Sequence, residues 1–295
     1  MKYKGSERIY QIVIYSLISL LLLGSLFPLL YVLGLSFTSE AEWISRGNTM
    51  VIPFNPTISG YKNVIVKSTR FSGALLISVL RTLIGTVMVM AFTLVTGYAA
   101  SRPRMPGRKI LISLVLITIL FVGGLIPTFL VVKGTKLYDS FWSMIIPGLV
   151  FPWAVLVFKQ FFMNIPKEVE ESAYMDGASE TTLMARINIP MSKAVIAALA
   201  MFTAVGHWNS WFDALIYLQN ERLEPLQLLL RNMFVNTNLG YEMNAIDQTF
   251  STEQRVSSTS LRMAVTVIGT VPILAIFPFL QKHFTKGVYT GSVKG

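Results

Sequence analysis

Long uncharged apolar runs organise this chain, in place of the alternation of apolar and polar positions that marks half-buried helices or strands. Six runs come close to or exceed the ~20 residues that cross a ~30 Å hydrocarbon core. They lie at about 11–39, 73–101, 110–132, 141–158, 194–218 and 263–281. The first is uncharged between Arg8 and Glu40, outlasts a signal-peptide core and is followed by no A-x-A-like site, so it reads as a retained span. The fourth is short and interrupted by Pro147 and Pro152; the sixth carries Pro272 and Pro278. Lipid cannot satisfy backbone N–H and C=O groups, so each run is expected to be helical. The expected fold is an all-α integral membrane protein of six transmembrane helices. Residues 1–295 form one domain, with no low-complexity linker or clear internal repeat.

Basic residues set the expected orientation. Lys2, Lys4 and Arg8 precede the first run, Arg102, Arg104, Arg108 and Lys109 lie between the second and third, and Lys282, Lys286 and Lys294 follow the sixth. The positive-inside rule makes these segments and both termini cytoplasmic. The segment 164–190 falls on the same side, despite its acids, because Asp and Glu weigh little in that rule. The outer loops Glu40–Ser72 and Gln219–Arg262 are mixed in charge.

Composition agrees with the pattern. The 295 residues are 53% hydrophobic and 14% charged, where a soluble domain carries about a quarter charged. Cysteine is absent, which excludes disulfides, thiolate metal sites and cysteine nucleophiles. His207 and His283 are too few and too far apart for a histidine metal site. The net charge of +10 fits cytoplasmic Lys and Arg and does not point to nucleic acid.

The most informative segment is the acid-rich connection between the fourth and fifth runs. Pro166 suits the first turn of a helix, and Lys167–Met175 carries its acids early, where they complement the helix N-terminus. Asp176-Gly177 signals a turn, Ser179 can cap a second helix through Leu183 and Ile187, and Pro190 is expected to end it. Two short helices held at an angle between two spans can pass a rigid-body push into the membrane. An amphipathic connection lying on lipid is the bland alternative, and a net acidic segment suits an anionic surface poorly.

This segment resembles the "EAA" loop, E-A-A-x-x-x-G and a later Pro, of the membrane subunits of bacterial ATP-driven (ABC-type) importers. Glu171, Ala173 and Gly177 stand at the matching positions, Ser172 replaces the first Ala, and Pro190 follows Gly177 by thirteen positions. Further segments resemble the sugar-importer permeases: Asn55–Tyr61, Arg102–Lys109, Phe161–Glu168, Trp208-Asn209-x-Trp211 and the tail from Gln281. The resemblance covers nearly the whole chain. It is closest to the shorter permease of the maltose system and to the branch importing oligosaccharides from complex polysaccharides, which Pro225-Leu226-Gln227 also favours.

The resemblance implies a type I importer transmembrane fold in the bacterial cytoplasmic membrane, in which this chain forms half of a carbohydrate pathway. The implied partners are a second, non-identical permease, an ATPase dimer and an extracytoplasmic solute-binding protein. ATP and Mg would be bound by the ATPase. This chain has no G-x-x-x-x-G-K-[ST] loop and is expected to hold no cofactor and catalyse no reaction. ATPase coupling is assigned to Glu170, Glu171, Ser172, Ala173, Asp176, Gly177, Ala178 and Pro190. The tail Gly291, Ser292, Val293, Lys294 and Gly295 is expected to reach the ATPase interface.

Candidates for sugar contact are Trp208, Asn209, Trp211 and Asp213, through ring stacking and hydrogen bonds, with interfacial anchoring and helix–helix bonding as alternatives. Arg81 is expected at the outer interface, because Thr82–Ser101 alone is long enough to cross. An ion-gradient-driven transporter would require conspicuous charges within the spans and paired broken helices, which the prolines of the fourth and sixth runs leave open. An integral-membrane enzyme would require clustered His and acids at an interface. A scaffold without transport activity is the third alternative.

Overall fold

The computed structural model describes residues 5–46, 52–235 and 259–275, and among them regular structure is entirely helical. Two helices are each long and apolar enough to cross a membrane. These are α1 (Gly5–Ser36) and α2 (Thr69–Ser101). Three of the other apolar runs are interrupted, the fourth as its prolines suggested and the third and fifth against the expectation of simple spans. The run 110–132 divides into α3 (Arg108–Leu120) and α4 (Leu125–Gly134) at Phe121–Gly124, where Gly124 takes φ 78°. The run 141–158 begins as two 3₁₀ turns, Phe141–Met144 and Ile146–Gly148, and becomes α5 (Pro152–Met163) after a 48° bend. Proline lacks the N–H that helix propagation needs, and Pro147 and Pro152 both open new helical pieces.

After the short helix α6 (Lys167–Met175), the chain climbs through Glu180–Met191 and turns by 83° into α7 (Lys193–Asn209). The run 194–218 breaks at Ser210-Trp211 before the short helix Phe212–Tyr217. Two shorter apolar helices follow, α8 (Leu226–Val235) and α9 (Thr259–Ala275). Residues 276–281 of the expected sixth span lie outside the described residues. By length and composition the described helices supply two spans, or up to four if each bent pair counts as one.

Contacts divide the chain into two compact units, residues 1–72 with 230–271 and residues 73–229 with 272–295. In the first, the large apolar side chains of α1 from Ile9 to Leu30 are exposed except the half-buried Ile14. Beyond it the Tyr61 hydroxyl bonds Ser36 Oγ at 2.6 Å, and the Glu42 carboxylate accepts from the Phe54 and Asn55 amides at 2.6 and 3.3 Å.

In the second unit, α2 is the central element. Ser78, Arg81, Gly85, Val89, Thr93 and Gly97 are buried at a three-to-four-residue spacing, which is one face of a helix. Small residues on such a face let helices approach closely. A Cβ at Gly97 would lie 2.7 Å from Phe158 Cβ and 3.2 Å from the Val155 carbonyl of α5. Four residues earlier, Thr93 Oγ1 accepts from the Phe151 amide at 3.1 Å. Met90, Tyr98, Ala154, Phe158, Phe162 and Leu199 form the shared core of α2, α5 and α7. At the other end of α2, Ser78 Oγ accepts from the Leu226 amide at 2.8 Å.

Candidate functional site

The acid-rich loop is built around a tight helix stop. The Ala178 N–H bonds the Ala173 carbonyl at 2.9 Å and the Gly177 N–H bonds the Tyr174 carbonyl at 3.0 Å. This is a Schellman closure, with Asp176 as the C-cap and Gly177 at φ 78°, the left-handed conformation that glycine adopts without a Cβ penalty. Ser179 then caps the next helix by accepting from the Thr182 amide at 3.3 Å. Pro166 is the N-cap of α6, one position ahead of its expected place in the first turn. Pro190 sits within the short helix Ile189–Met191, after a π-helical stretch Met184–Asn188, and the chain bends two residues later at Ser192. It therefore does not end the second helix as expected.

Helical spacing sorts the acids of α6 onto two faces. Glu168, Glu171 and Met175 are exposed, Met175 at 88%. Ser172 is also exposed, its hydroxyl turned back to the Val169 carbonyl at 3.0 Å. Glu170 points the other way. Its carboxylate takes both terminal nitrogens of Arg102, at 2.6 and 2.9 Å, and Nδ2 of the buried Asn188 at 3.0 Å. Arg102 also lies over the Tyr98 ring, 4.2 Å from its centroid.

A second acid joins this group from beyond the turn. The two Glu180 oxygens accept from the Tyr98 and Tyr174 hydroxyls, each at 2.6 Å. Burial acts to raise the Glu170 carboxyl, but the bonds from Arg102 and Asn188 outweigh it and hold the group below the usual carboxylate range. Glu180 is lowered likewise, with burial opposed by the two tyrosine hydroxyls and by Arg102 and Arg104.

A second feature is a cavity of about 740 Å³, lined among others by Arg81, Phe202, His207, Ser210, Asp213 and Tyr217. Arg81 is 1% exposed, enclosed by the protein itself. It pairs with Asp213 and also donates to the Ser210 and Met144 carbonyls at 3.1 and 3.4 Å. The pairing spans 132 residues and is invisible to a local count of apolar positions. Asp213 Oδ1 also accepts from Ser210 Oγ and the Ala214 amide, each at 2.9 Å. The guanidinium side chain is 2% exposed and the carboxylate side chain 26%, so the acid is the more open of the two partners at the cavity.

Of the four residues proposed for sugar contact, Asp213 lines this cavity. Trp208 lies about 100° around the helix from His207 and lines a separate apolar pocket of about 170 Å³ with Val79, Leu83, Ala204 and Val205. Asn209 is exposed and does not line the cavity. Trp211 packs against the cluster of Met144, Ala214 and Leu228. Sequence reasoning missed Thr203, Gly206, His207 and Ser210, which line the cavity from successive turns of α7 and the residue beyond it. Their signal was present as small or polar residues at spacings of three, one and three in an apolar run. Gly85 packs on the His207 ring, where a Cβ would lie 2.7 Å from Nε2. Gly291–Gly295 lie outside the described residues.

Comparison with known proteins places the chain in a family. Protein LplC of Bacillus subtilis (strain 168) is 40% identical over 272 residues, covering 92% of this chain and 90% of the relative. The polygalacturonan/rhamnogalacturonan transport system permease protein YtcP of the same organism is 35% identical over 290 residues, covering 98% and 99%. A chain in the crystal structure of a bacterial ABC transporter involved in the import of the acidic polysaccharide alginate superimposes with TM-score 0.89 at 27% identity, covering 96% of this chain and 99% of that one. Residues 8–289 match a single family description, and the chain belongs to that family, the binding-protein-dependent transport system inner membrane components.

Proposed function

We propose that this chain is one of two permease subunits of an ATP-driven oligosaccharide importer, forming half of the pathway and receiving the ATPase stroke through residues 164–190. The observation that carries the reading is the closed loop whose outward face presents Glu171 and the 88% exposed Met175 while Glu170 anchors it inward. A rigid element with an exposed apolar side chain among acids suits docking on a protein better than lying on anionic lipid. The permease relatives named for polygalacturonan and alginate support a carbohydrate cargo. In this reading six spans place both termini in the cytoplasm, a non-identical permease completes the pathway, a paired ATPase binds ATP and Mg, and an extracytoplasmic binding protein delivers sugar. The tail Gly291–Gly295 reaches the ATPase interface.

The cavity is this subunit's share of the pathway. The Asp213 carboxylate accepts sugar hydroxyls, and Phe202, 55% exposed, offers an aromatic face to apolar C–H groups. Arg81 holds that carboxylate in place from behind. A charged pair among the helices and broken helices were the marks of the ion-gradient alternative, but a binding-protein-dependent family does not support that reading. The deciding experiment is purification of the tagged chain from mild detergent with assay of co-purifying ATPase. A second permease and an ATPase, stimulated by a binding protein with oligogalacturonate or a neutral oligosaccharide, are expected. A lone chain without ATPase, under conditions that keep related importers whole, would overturn the proposal.

A further inference from the structure

The loop is covalently continuous with α5 and α7, and a push on it would be expected to move those two helices first. The side chains describe an additional attachment. Glu170 from α6 and Glu180 from beyond the turn converge on Arg102 and Tyr98, at the loop-side end of α2, and Asn188 from the climb toward α7 braces Glu170. The Arg102–Glu170 contact is a two-bond fork with both side chains largely covered, at 14% and 16% exposure. The Tyr98 ring, which lies beneath the guanidinium, also sits edge-on to Phe162 of α5, 5.9 Å between centroids. The loop is thus fastened to a helix with which it shares no adjacent chain.

That helix is unbroken. α2 runs from Thr69 to Ser101 without proline, and Arg81 and Arg102 stand about 30 Å apart at 1.5 Å per residue. Its loop-side end carries the fork, and Arg81 further along binds Asp213 in the cavity. The neighbouring apolar runs are broken at Phe121–Gly124, at Ile145–Phe151 and at Ser210-Trp211. Each break is a place where a displacement can be absorbed. α2 has no such place among its described residues.

We propose that Glu170 and Glu180 are positioning residues that lock the coupling loop to α2 through Arg102 and Tyr98, so that the ATPase stroke reaches the Arg81–Asp213 cavity along α2. The inference rests on the coupling role proposed for the loop. It separates two kinds of acid in one short stretch: Glu171 faces the docking partner, whereas Glu170 and Glu180 face the protein's own helix.

The absence of cysteine allows a direct test. A single reporter, Thr203→Cys, places a thiol in the cavity. Its rate of reaction with a maleimide is measured on the whole complex with its native partners, without nucleotide and with ATP trapped by vanadate. In the reporter background trapping should change the rate at least about fivefold. Glu170→Gln, which keeps size and loses charge, and Arg102→Met should each reduce that response below about twofold while trapping the same amount of nucleotide. Exchange of the pair, Glu170→Arg with Arg102→Glu, should restore most of it. A full response in both single variants would overturn the lock and leave the coupling role standing. Loss of nucleotide trapping together with the response in Glu170→Gln would make the contact structural only, and would also overturn it. No response in the reporter background despite trapped nucleotide would remove the coupling reading and this inference together.

Discussion

α2 carries an arginine–carboxylate pair at its loop-side end and another further along, and the two are built differently. At the loop, Arg102 meets Glu170 through a planar fork, and both partners are covered to a similar degree. In the cavity, Arg81 is almost fully enclosed and shares its donors between Asp213 and two backbone carbonyls, while Asp213 keeps about a quarter of its surface open. A pair with both members covered is a joint, since separating it would strand two charges. A pair with its acid exposed is a site, because the hidden arginine fixes a carboxylate that a ligand can still reach. The same two side-chain types thus serve attachment in one place and recognition in the other, and the difference is solvent access.

The largest expected effect breaks the cavity pair unevenly. Asp213→Ala leaves Arg81 enclosed without a counter-charge and should destabilise the protein by about 3–5 kcal/mol. Arg81→Met leaves Asp213 with Ser210, the Ala214 amide and cavity water, and should cost clearly less. Thermal unfolding in detergent measures both. Equal losses would contradict the division into hidden base and open acid.

Next comes the seat of the loop-side end. Gly97→Ala drives a Cβ against Phe158 and the Val155 carbonyl and should cost about 1–3 kcal/mol. Gly85→Ala meets a His207 ring that can rotate away, so its cost should be smaller. The ranking in melting temperature, Gly97 below Gly85, checks it.

The turn is the third test. Gly177 has open space around it, so a substituent there meets backbone strain and no clash. Gly177→Val should cost about 1–3 kcal/mol and Gly177→Asn less than about 1. Gly177→Asp should preserve the turn nearly as well as Asn and still lower uptake, because it adds charge to the docking face. Uptake with Asp equal to that with Asn would remove the charge from the explanation.

The smallest effect is the titration of the joint. The folded Glu170 carboxyl lies below its unfolded value, so its stabilisation is fully present above about pH 4.3 and is lost as the pH falls through the lowered folded value. The melting-temperature gap between wild type and Glu170→Gln should be flat from pH 8 to 5 and close only in more acidic buffer. A gap that closes near neutral pH would show that Glu170 is not the group held low.

Much of the loop was legible locally. The helix Lys167–Met175, the stop at Asp176-Gly177 and the Ser179 cap depend on residues within a few positions of one another, and those are the interactions that sequence spacing encodes. Pro190 was misread because a proline can also open a helical piece, and the preceding π-helical stretch accommodates it. Glu170 and Glu171 are indistinguishable as neighbours in a sequence. Their separation onto two faces needed Arg102, which is 68 residues away.

The sequence by itself determined that the chain is helical, membrane-spanning and closed at one loop by a glycine stop, because hydropathy and turn chemistry act over short distances. It also carried the residue order that ties the chain to its family. Only the tertiary structure decided that Arg81 is enclosed, that Asp213 and not Trp208 or Asn209 meets the cavity, and that Glu170 rather than Glu171 holds α2. The reason is physical. A buried charge is tolerable only beside its partner, and partners 68 and 132 residues away are chosen by helix packing, which no local pattern records.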